Sequence, residues 1–384
     1  MSEPTPRTAL FVLPGLQLGG AERHVVLLAQ HLDQQRWRSR VVTFRDGPYG
    51  DELRASGIPV DLVPEPAGAG GVARTARAIR GLVRRHRPAV VSAQHFAADL
   101  PVRLALLQHR AMAGGRVPYV VWKHTYGHIG HRGRRERAVE SVLGGLVSGY
   151  AAVCYTQVTY LRGQLGLPTQ KMEVVQNSLP ATTVGDGRAA LAAVVPGGFP
   201  GPVAVVVGAL RADKGHRDLL DAWRDVARQV PDASLVVVGD GPERRALEQV
   251  AAAPGLERVH FLGARVDAPL LAAGADVFVL ASYNIECFPY AVLEAMAGGV
   301  PVVTTATGGL AEMVDHGVTG LLVPPMAPRA LGEALVEVLG SPARAAELGA
   351  GGRRRLAEAF PFDRWISEVN ELYDGWSAPS GRRT

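Results

Sequence analysis

The sequence predicts an α/β protein built from two doubly wound domains in succession, and three observations carry that prediction. Short, charge-poor, β-branched runs of strand length recur along the whole chain, as buried parallel strands require. Helical stretches follow them, so that strand and helix alternate through both halves. A glycine- and proline-rich segment, residues 185–202, separates the halves and reads as a linker.

In the first half the runs 9–13, 40–44 and 89–93 are expected strands, with helices over 22–32 and 72–85. In the second half 203–207, 234–238 and 277–280 are expected strands. The uncharged stretch 141–161 has the length of a membrane span, but Ser141, Ser148, Thr156, Gln157 and Thr159 interrupt it; a helix, a turn and a buried strand are expected there. These assignments place an N-terminal domain at 1–184, a linker at 185–202 and a C-terminal domain at 203–360. A closing helix at 361–376 and a disordered tail at 377–384 complete the chain.

Hydrophobic content of 47% with 20% charged residues is the balance of an ordinary globular protein, and excludes a disordered or fibrous chain. Only two cysteines are present, Cys154 and Cys287, too few for a disulfide framework or a zinc cage, which fits a reducing cytoplasm. The N-terminal residues up to Thr8 are polar and the following apolar run is short, so no export signal is expected. Residues 1–185 hold 23 Lys and Arg against 12 Asp and Glu, whereas the whole chain carries only +5, so the second half is acidic. A basic first half suits anionic lipid at the inner face of a membrane, a phosphorylated ligand or nucleic acid; solvated helix faces in an arginine-rich composition are the plainer reading.

The most informative local feature is a pair of glutamates eight positions apart, Glu286 and Glu294, with Phe288, Pro289 and Tyr290 between them. Proline is favoured where a helix begins, so Glu286 is expected on the loop before a helix and Glu294 inside it. A helix N-terminus offers free N–H groups and the positive end of the macrodipole, and the carboxylates can bind hydroxyls. A sugar joined to a diphosphate has both kinds of group.

The stretch 259–325 resembles the donor-binding signature of retaining glycosyltransferases of family 4, which have the GT-B fold. It contains Val259-His260-Phe261-Leu262-Gly263, then Ala275-Asp276-Val277-Phe278-Val279-Leu280-Ala281-Ser282, then the two glutamates, then Gly317-Val318-Thr319-Gly320-Leu321-Leu322-Val323. Weaker resemblance extends from Gly19-Gly20-Ala21-Glu22-Arg23 to Phe362-Asp363-Arg364-Trp365. It implies two Rossmann-like domains facing across a cleft, with an acceptor-binding first domain and a nucleotide-sugar-binding second one.

The resemblance also implies roles. Glu294 would hold the ribose hydroxyls and Glu286 the hydroxyls of the donor sugar. Gly19 and Gly20, ahead of a helix, would lie beside the donor diphosphate and the acceptor. Gly208, Arg211 and Lys214 lie on a turn after a strand, where cations would stabilise the leaving diphosphate. The family's usual arginine position is occupied by Ala209, so Arg211 is a candidate replacement and Lys214 the firmer assignment. Gly241, Gly263 and Asp267 lie on loops resembling those around the nucleoside. His124, at the end of an apolar strand, resembles the family's active-site histidine, and Tyr126, His128 and Arg132 are acceptor candidates.

No D-x-D carboxylate pair is present, and no nearby cysteine or E-x-x-H completes a metal set with His124, His128 and His131. Together with the resemblance, which implies retaining transfer of a hexose-type sugar, this leads to an expectation of metal independence, with no cofactor beyond the nucleotide sugar as substrate. The acceptor hydroxyl would belong to a glycan, a glycolipid or a small natural product. No nucleic-acid partner is implied, and neither a G-x-G-x-x-G fingerprint nor a P-loop appears. A catalytically silent GT-B subunit and a pseudo-glycosyltransferase that forms a non-glycosidic bond share the same motifs; donor hydrolysis and product analysis separate them.

Overall fold

The computed structural model describes residues 5–113, 115–125, 131–180, 186–195, 198–284 and 286–377, without the side chains of residues 131 and 132. The chain divides into two compact units, Met1–Gln176 with Asp363–Thr384, and Asn177–Phe362.

The first unit contains β1 (Arg7–Gly15), β2 (Trp37–Arg45), β3 (Val60–Leu62), β4 (Val90–Gln94), β5 (Tyr119–Lys123), β6 (Gly149–Ala152) and β7 (Met172–Val174). They form one parallel sheet in the order β3-β2-β1-β4-β5-β6-β7. Parallel neighbours need crossover connections, and helices such as Gly20–His31, Gly68–His86 and Phe96–Ala113 provide them. The sheet interior is apolar because β1 is buried through Ala9, Leu10, Phe11, Val12 and Leu13. Fully burying a side chain of this size contributes roughly 1.5–3 kcal/mol.

The closing helix, Phe362–Ser377, belongs to this unit from Asp363 onward. Its buried face is Trp365, Val369, Tyr373 and Trp376, spaced three and four residues apart as one helical stripe requires. Gly149 of β6 is a glycine because a Cβ there would lie 2.3 Å from the Trp376 ring. Arg7 reaches the same helix through Asp374 and, at 3.0 Å, Ser377.

The second unit contains β8 (Val203–Val207), β9 (Ser234–Val238), β10 (Val259–Gly263), β11 (Val277–Leu280), β12 (Val302–Thr305) and β13 (Gly320–Val323), all parallel, in the order β10-β9-β8-β11-β12-β13. Side chains alternate across this sheet. Ala204 and Val206 of β8 enter one apolar cluster with Leu235, Val237, Val277 and Val279, while Val203 and Val205 enter another with Val236 and Val238. Both faces are therefore covered, as in a doubly wound sheet.

The expected domain boundaries are corrected here. Residues 185–202 are not a linker: the helix Gly187–Ala193 lies within them and Leu191 is fully buried in the second unit's core. Two of its glycines serve close packing. A Cβ on Gly187 would lie 2.6 Å from the backbone of Gly274 and Leu270, and one on Gly201 would lie 2.6 Å from the carbonyl of Asp232. The boundary instead falls at Gln176, because Asn177 and Ser178 fasten to the second unit through the carbonyls of Phe288 (2.9 Å) and Phe360 (2.5 Å). The uncharged stretch 141–161 resolves into a helix end at Leu143, a 3-10 turn Gly144–Leu146, the buried β6 and the start of a further helix, Tyr155–Leu165. The closing helix runs one residue further than expected, to Ser377; residues 378–384 lie outside the described residues.

Candidate active site

In a doubly wound sheet, the ligand crevice opens beyond the carboxyl ends of the strands where strand order reverses. In the second unit that point lies between β8 and β11, and the loops leaving those two strands carry Lys214 and Glu286. The loops are pressed together by glycines. Gly215 has φ +68° and a Cβ there would lie 1.9 Å from the Ala281 carbonyl. Gly239, at φ +149°, meets the Gly208 carbonyl in the same way, and a Cβ on Gly241 would lie 2.5 Å from that of Leu210. Only backbone without side chains fits at these crossings.

This close approach brings the Lys214 ammonium to 2.5 Å from Glu286 Oε1, and the Ser282 hydroxyl donates to the same oxygen at 2.5 Å. The Glu286 backbone is held as well, its carbonyl accepting from Gly309 N–H at 2.8 Å. Phe288, two residues on, adopts φ +60°, a left-handed conformation that costs a non-glycine residue roughly 1 kcal/mol. The turn is retained because the Phe288 ring packs edge-on to Phe360 at 4.9 Å and Asn177 donates to its carbonyl at 2.9 Å. Pro289 then caps the helix Tyr290–Gly298, which places Glu294 inside the helix on a half-buried position. Loop glutamate, proline and helical glutamate follow in the expected order.

Arg211 behaves differently from Lys214. Its guanidinium forms a two-pronged pair with Asp213, one contact at 2.8 Å, and over half of its side chain is solvent-exposed. That pairing holds the arginine above its ordinary pKa. For Asp213, burial pulls the carboxyl upward but Arg211 and Lys214 outweigh it, leaving it below the usual range. His216, at the start of the next helix, is pushed down to about 4 by burial and by Lys214. Asp267 is paired with Arg265 at 2.8 Å on the loop after β10, where Gly263 takes φ +74°.

In the first unit the reversal lies between β1 and β4. Gly19 is extended immediately before the helix Gly20–His31, and a Cβ there would lie 2.3 Å from the Glu22 carboxylate. Glu22 is raised above its ordinary pKa chiefly by burial. His124 follows β5 and its Nε2 lies 2.5 Å from Gln94 Oε1 at the end of β4. Burial and the neighbouring rings of His24, at 4.7 Å, and His95, at 5.8 Å, hold His124 well below the usual histidine pKa, so it is neutral. Tyr126 and His128 lie outside the described residues, and the side chain of Arg132 does too.

The basic character of the first half divides into two populations. Arg74, Arg77, Arg84 and Arg85 are exposed on the helix Gly68–His86, as are Arg135 and Arg137 on the helix His131–Leu143. Arg103 and Lys123 are instead buried among Asp99, Glu136 and Glu140. No helix among the described residues is long and apolar enough to cross a membrane.

Several residues escaped the sequence reading. Ser282 and Asp213 lie within the predicted loops but bind through geometry rather than motif. Gln94 and Ser92 carried a usable signal, since two polar residues interrupt an otherwise apolar strand, Val90-Val91-Ser92-Ala93-Gln94.

Two family models match, Glycosyltransferase Family 4 over residues 18–181 and Glycosyl transferases group 1 over residues 201–341. A GDP-mannose-dependent alpha-(1-6)-phosphatidylinositol monomannoside mannosyltransferase of Mycobacterium tuberculosis is 32% identical over 45% of this chain and 48% of its own length. An N-acetyl-alpha-D-glucosaminyl L-malate synthase of Bacillus anthracis is 30% identical over 44% and 45%. The matched region thus spans about half the length of these curated relatives. Among solved structures, Anabaena HepE in complex with UDP-glucose aligns over 96% of this chain and 98% of its own, with 25% identity and a TM-score of 0.81. Fold, motif order and both family models agree: the chain belongs to the family 4-like glycosyltransferases with the GT-B fold.

Proposed function

We propose that this protein transfers a hexose-type sugar from a nucleotide diphosphate donor to an acceptor hydroxyl, with retention of anomeric configuration and without a metal ion. The observation that carries this reading is the Lys214–Glu286–Ser282 cluster at the β8/β11 switch point, a cation and a polarised carboxylate beside a helix N-terminus. Negative charge builds on the diphosphate as the glycosidic C–O bond breaks. The Lys214 ammonium and the N-terminus of the helix Tyr290–Gly298 are the groups proposed to stabilise it. Glu286 would orient the sugar hydroxyls while Lys214 exchanges its carboxylate partner for a diphosphate oxygen, and Glu294 would hold the ribose.

Retention implies attack from the face the leaving group departs, with a diphosphate oxygen taking the acceptor proton; positioning then supplies most of the rate. First-unit residues enter through the family resemblance, His124 as a group near the reacting sugar and the Gly19–Gly20 loop as a diphosphate or acceptor contact. The relatives use different nucleotides, GDP-mannose in the mycobacterial enzyme and UDP-glucose in the HepE complex. For the acceptor, the exposed arginine faces favour an anionic or lipid-linked saccharide reached from the cytoplasm, over a neutral small molecule.

The test is turnover of a panel of UDP-, GDP- and ADP-sugars by purified protein with EDTA present, with the anomer of the product read by NMR. Transfer with retention that is undiminished by chelation is expected. Loss of turnover in EDTA with recovery on Mg²⁺ or Mn²⁺, or an inverted product, would overturn the corresponding part of the proposal.

A further inference from the structure

Behind His124 runs a line of buried polar groups that the proposed chemistry does not use. Its far end is Trp122 Nε1, which can only donate, and which donates to the Tyr373 hydroxyl at 3.2 Å. The Tyr373 O–H is thereby directed onward, and donates to Ser92 Oγ at 3.1 Å. Gln94 Nε2 donates to the same Ser92 oxygen at 3.2 Å, which leaves Gln94 Oε1 facing His124 Nε2 at 2.5 Å. Ser92, Gln94, Trp122 and Tyr373 are all fully buried, so none of these groups exchanges partners with water. Four side chains from β4, β5 and the closing helix thus end on one ring nitrogen.

We propose that Gln94, itself oriented by Ser92 and Tyr373, is a positioning residue that locks His124 as the Nε2–H tautomer and leaves Nδ1 as its bare, accepting nitrogen. An amide oxygen can only accept, so a contact of this length requires the proton on Nε2. Nδ1 then has no proton to give and serves substrate as a hydrogen-bond acceptor, which suits a sugar hydroxyl. Neutrality of the ring, enforced by burial beside His24 and His95, is consistent with that state. The closing helix gains a role here: Tyr373, far from β4 in sequence, sets the amide that sets the histidine. The importance of this lock for turnover rests on the reading that His124 serves sugar transfer; the tautomer itself does not.

The measurement is a long-range ¹⁵N–¹H correlation spectrum of full-length protein labelled at the histidine ring nitrogens, with His124 assigned by its loss in His124→Gln. The wild type should show Nε2 protonated and Nδ1 bare. Gln94→Leu should lose that preference, with kcat lower by roughly tenfold to a hundredfold and the KM for the sugar donor near wild type, since misorientation affects the reacting state most. Gln94→Glu, which keeps an accepting oxygen, should retain the Nε2–H signature, and this variant decides the matter should the leucine variant fold poorly. An Nδ1–H tautomer in the wild type, or an Nε2–H signature unchanged in folded Gln94→Leu, would overturn the inference. Full activity of His124→Gln would instead remove His124 from the reaction while leaving the tautomer assignment intact.

Discussion

Each unit places a lysine in contact with a glutamate near the end of a parallel strand, and the two pairs are built for different purposes. In the first unit Lys123 Nζ meets Glu136 at 2.9 Å and Glu140 at 3.6 Å, while Arg103 meets Asp99 at 2.6 Å and Glu140 at 2.7 Å. Tyr119 donates to the same Asp99 Oδ1 at 2.5 Å, and Tyr150 to the other Glu140 oxygen, Oε2, at 2.7 Å. The side chains that carry these charges are at most 6% exposed, and burial alone would push Lys123 toward neutrality; the surrounding carboxylates outweigh it and hold its pKa above the ordinary lysine value. In the second unit Lys214 is about one-fifth exposed and its partner Glu286 about one-tenth. A closed cluster of buried charges fixes structure, whereas a cation with an open side can trade its carboxylate for a ligand.

The largest effect should come from opening the closed cluster. Arg103→Ala would take from Asp99 the guanidinium it is paired with and leave Glu140 with Lys123 at 3.6 Å, and breaking a buried pair costs about 3–5 kcal/mol. Urea unfolding should show that loss. A change below about 1 kcal/mol would mean that water enters the cluster and that it is not closed.

Lys214→Ala makes the opposite test. Its kcat should fall by roughly a hundredfold to a thousandfold, the scale of removing one preorganised group from developing charge, with a smaller loss of stability than Arg103→Ala. Should the stability loss equal that of Arg103→Ala while activity per folded molecule is kept, the two pairs are both structural and the contrast disappears.

His216 extends the comparison to pH. Both of its ring nitrogens lack a hydrogen-bond partner among the described residues, whereas Lys123 in the first unit's cluster is paired with two carboxylates. With its folded pKa near 4 and an ordinary value of 6.5, the unfolded chain binds a proton in that window which the folded chain refuses. Stability is therefore complete above pH 6.5 and falls as pH drops toward 4, by about 3 kcal/mol in all from this group. His216→Leu, which needs no partner, should flatten the dependence of unfolding free energy on pH across that interval. An unchanged slope would show that the ring is solvated in the native state.

How far sequence anticipated these sites follows from the range of the interactions. Strands were legible because apolar, β-branched runs are local, and Lys214, Glu286 and Glu294 were legible because loop, proline and helix follow one another within the chain. The Tyr373–Ser92–Gln94–His124 line was not, since it joins residues from three separate elements and no periodicity links position 92 to position 373. Residues 185–202 misled for a different reason. Glycine signals flexibility in composition, but at Gly187 and Gly201 it signals a backbone approached too closely for a Cβ, and only the fold distinguishes the two. Arg211 sits between these cases, with its position readable and its partner not.

That partner governs the smallest expected effect. Arg211 lies three residues from Lys214 on the same loop, and chain position alone makes it the replacement for the family arginine absent at Ala209. Its guanidinium is nevertheless spent on Asp213, in an exposed pair of the kind worth about 0–1 kcal/mol. If that pair persists when the sugar donor binds, Arg211→Ala should lower kcat no more than roughly fivefold. In the double variant with Lys214→Ala, the losses should then add as free energies. If the guanidinium instead leaves Asp213 for the diphosphate, Arg211→Ala should approach the Lys214→Ala loss, and the double variant should lose less than the sum because both cations serve one leaving group. The double-mutant cycle on kcat therefore decides whether the second unit presents one open cation or two.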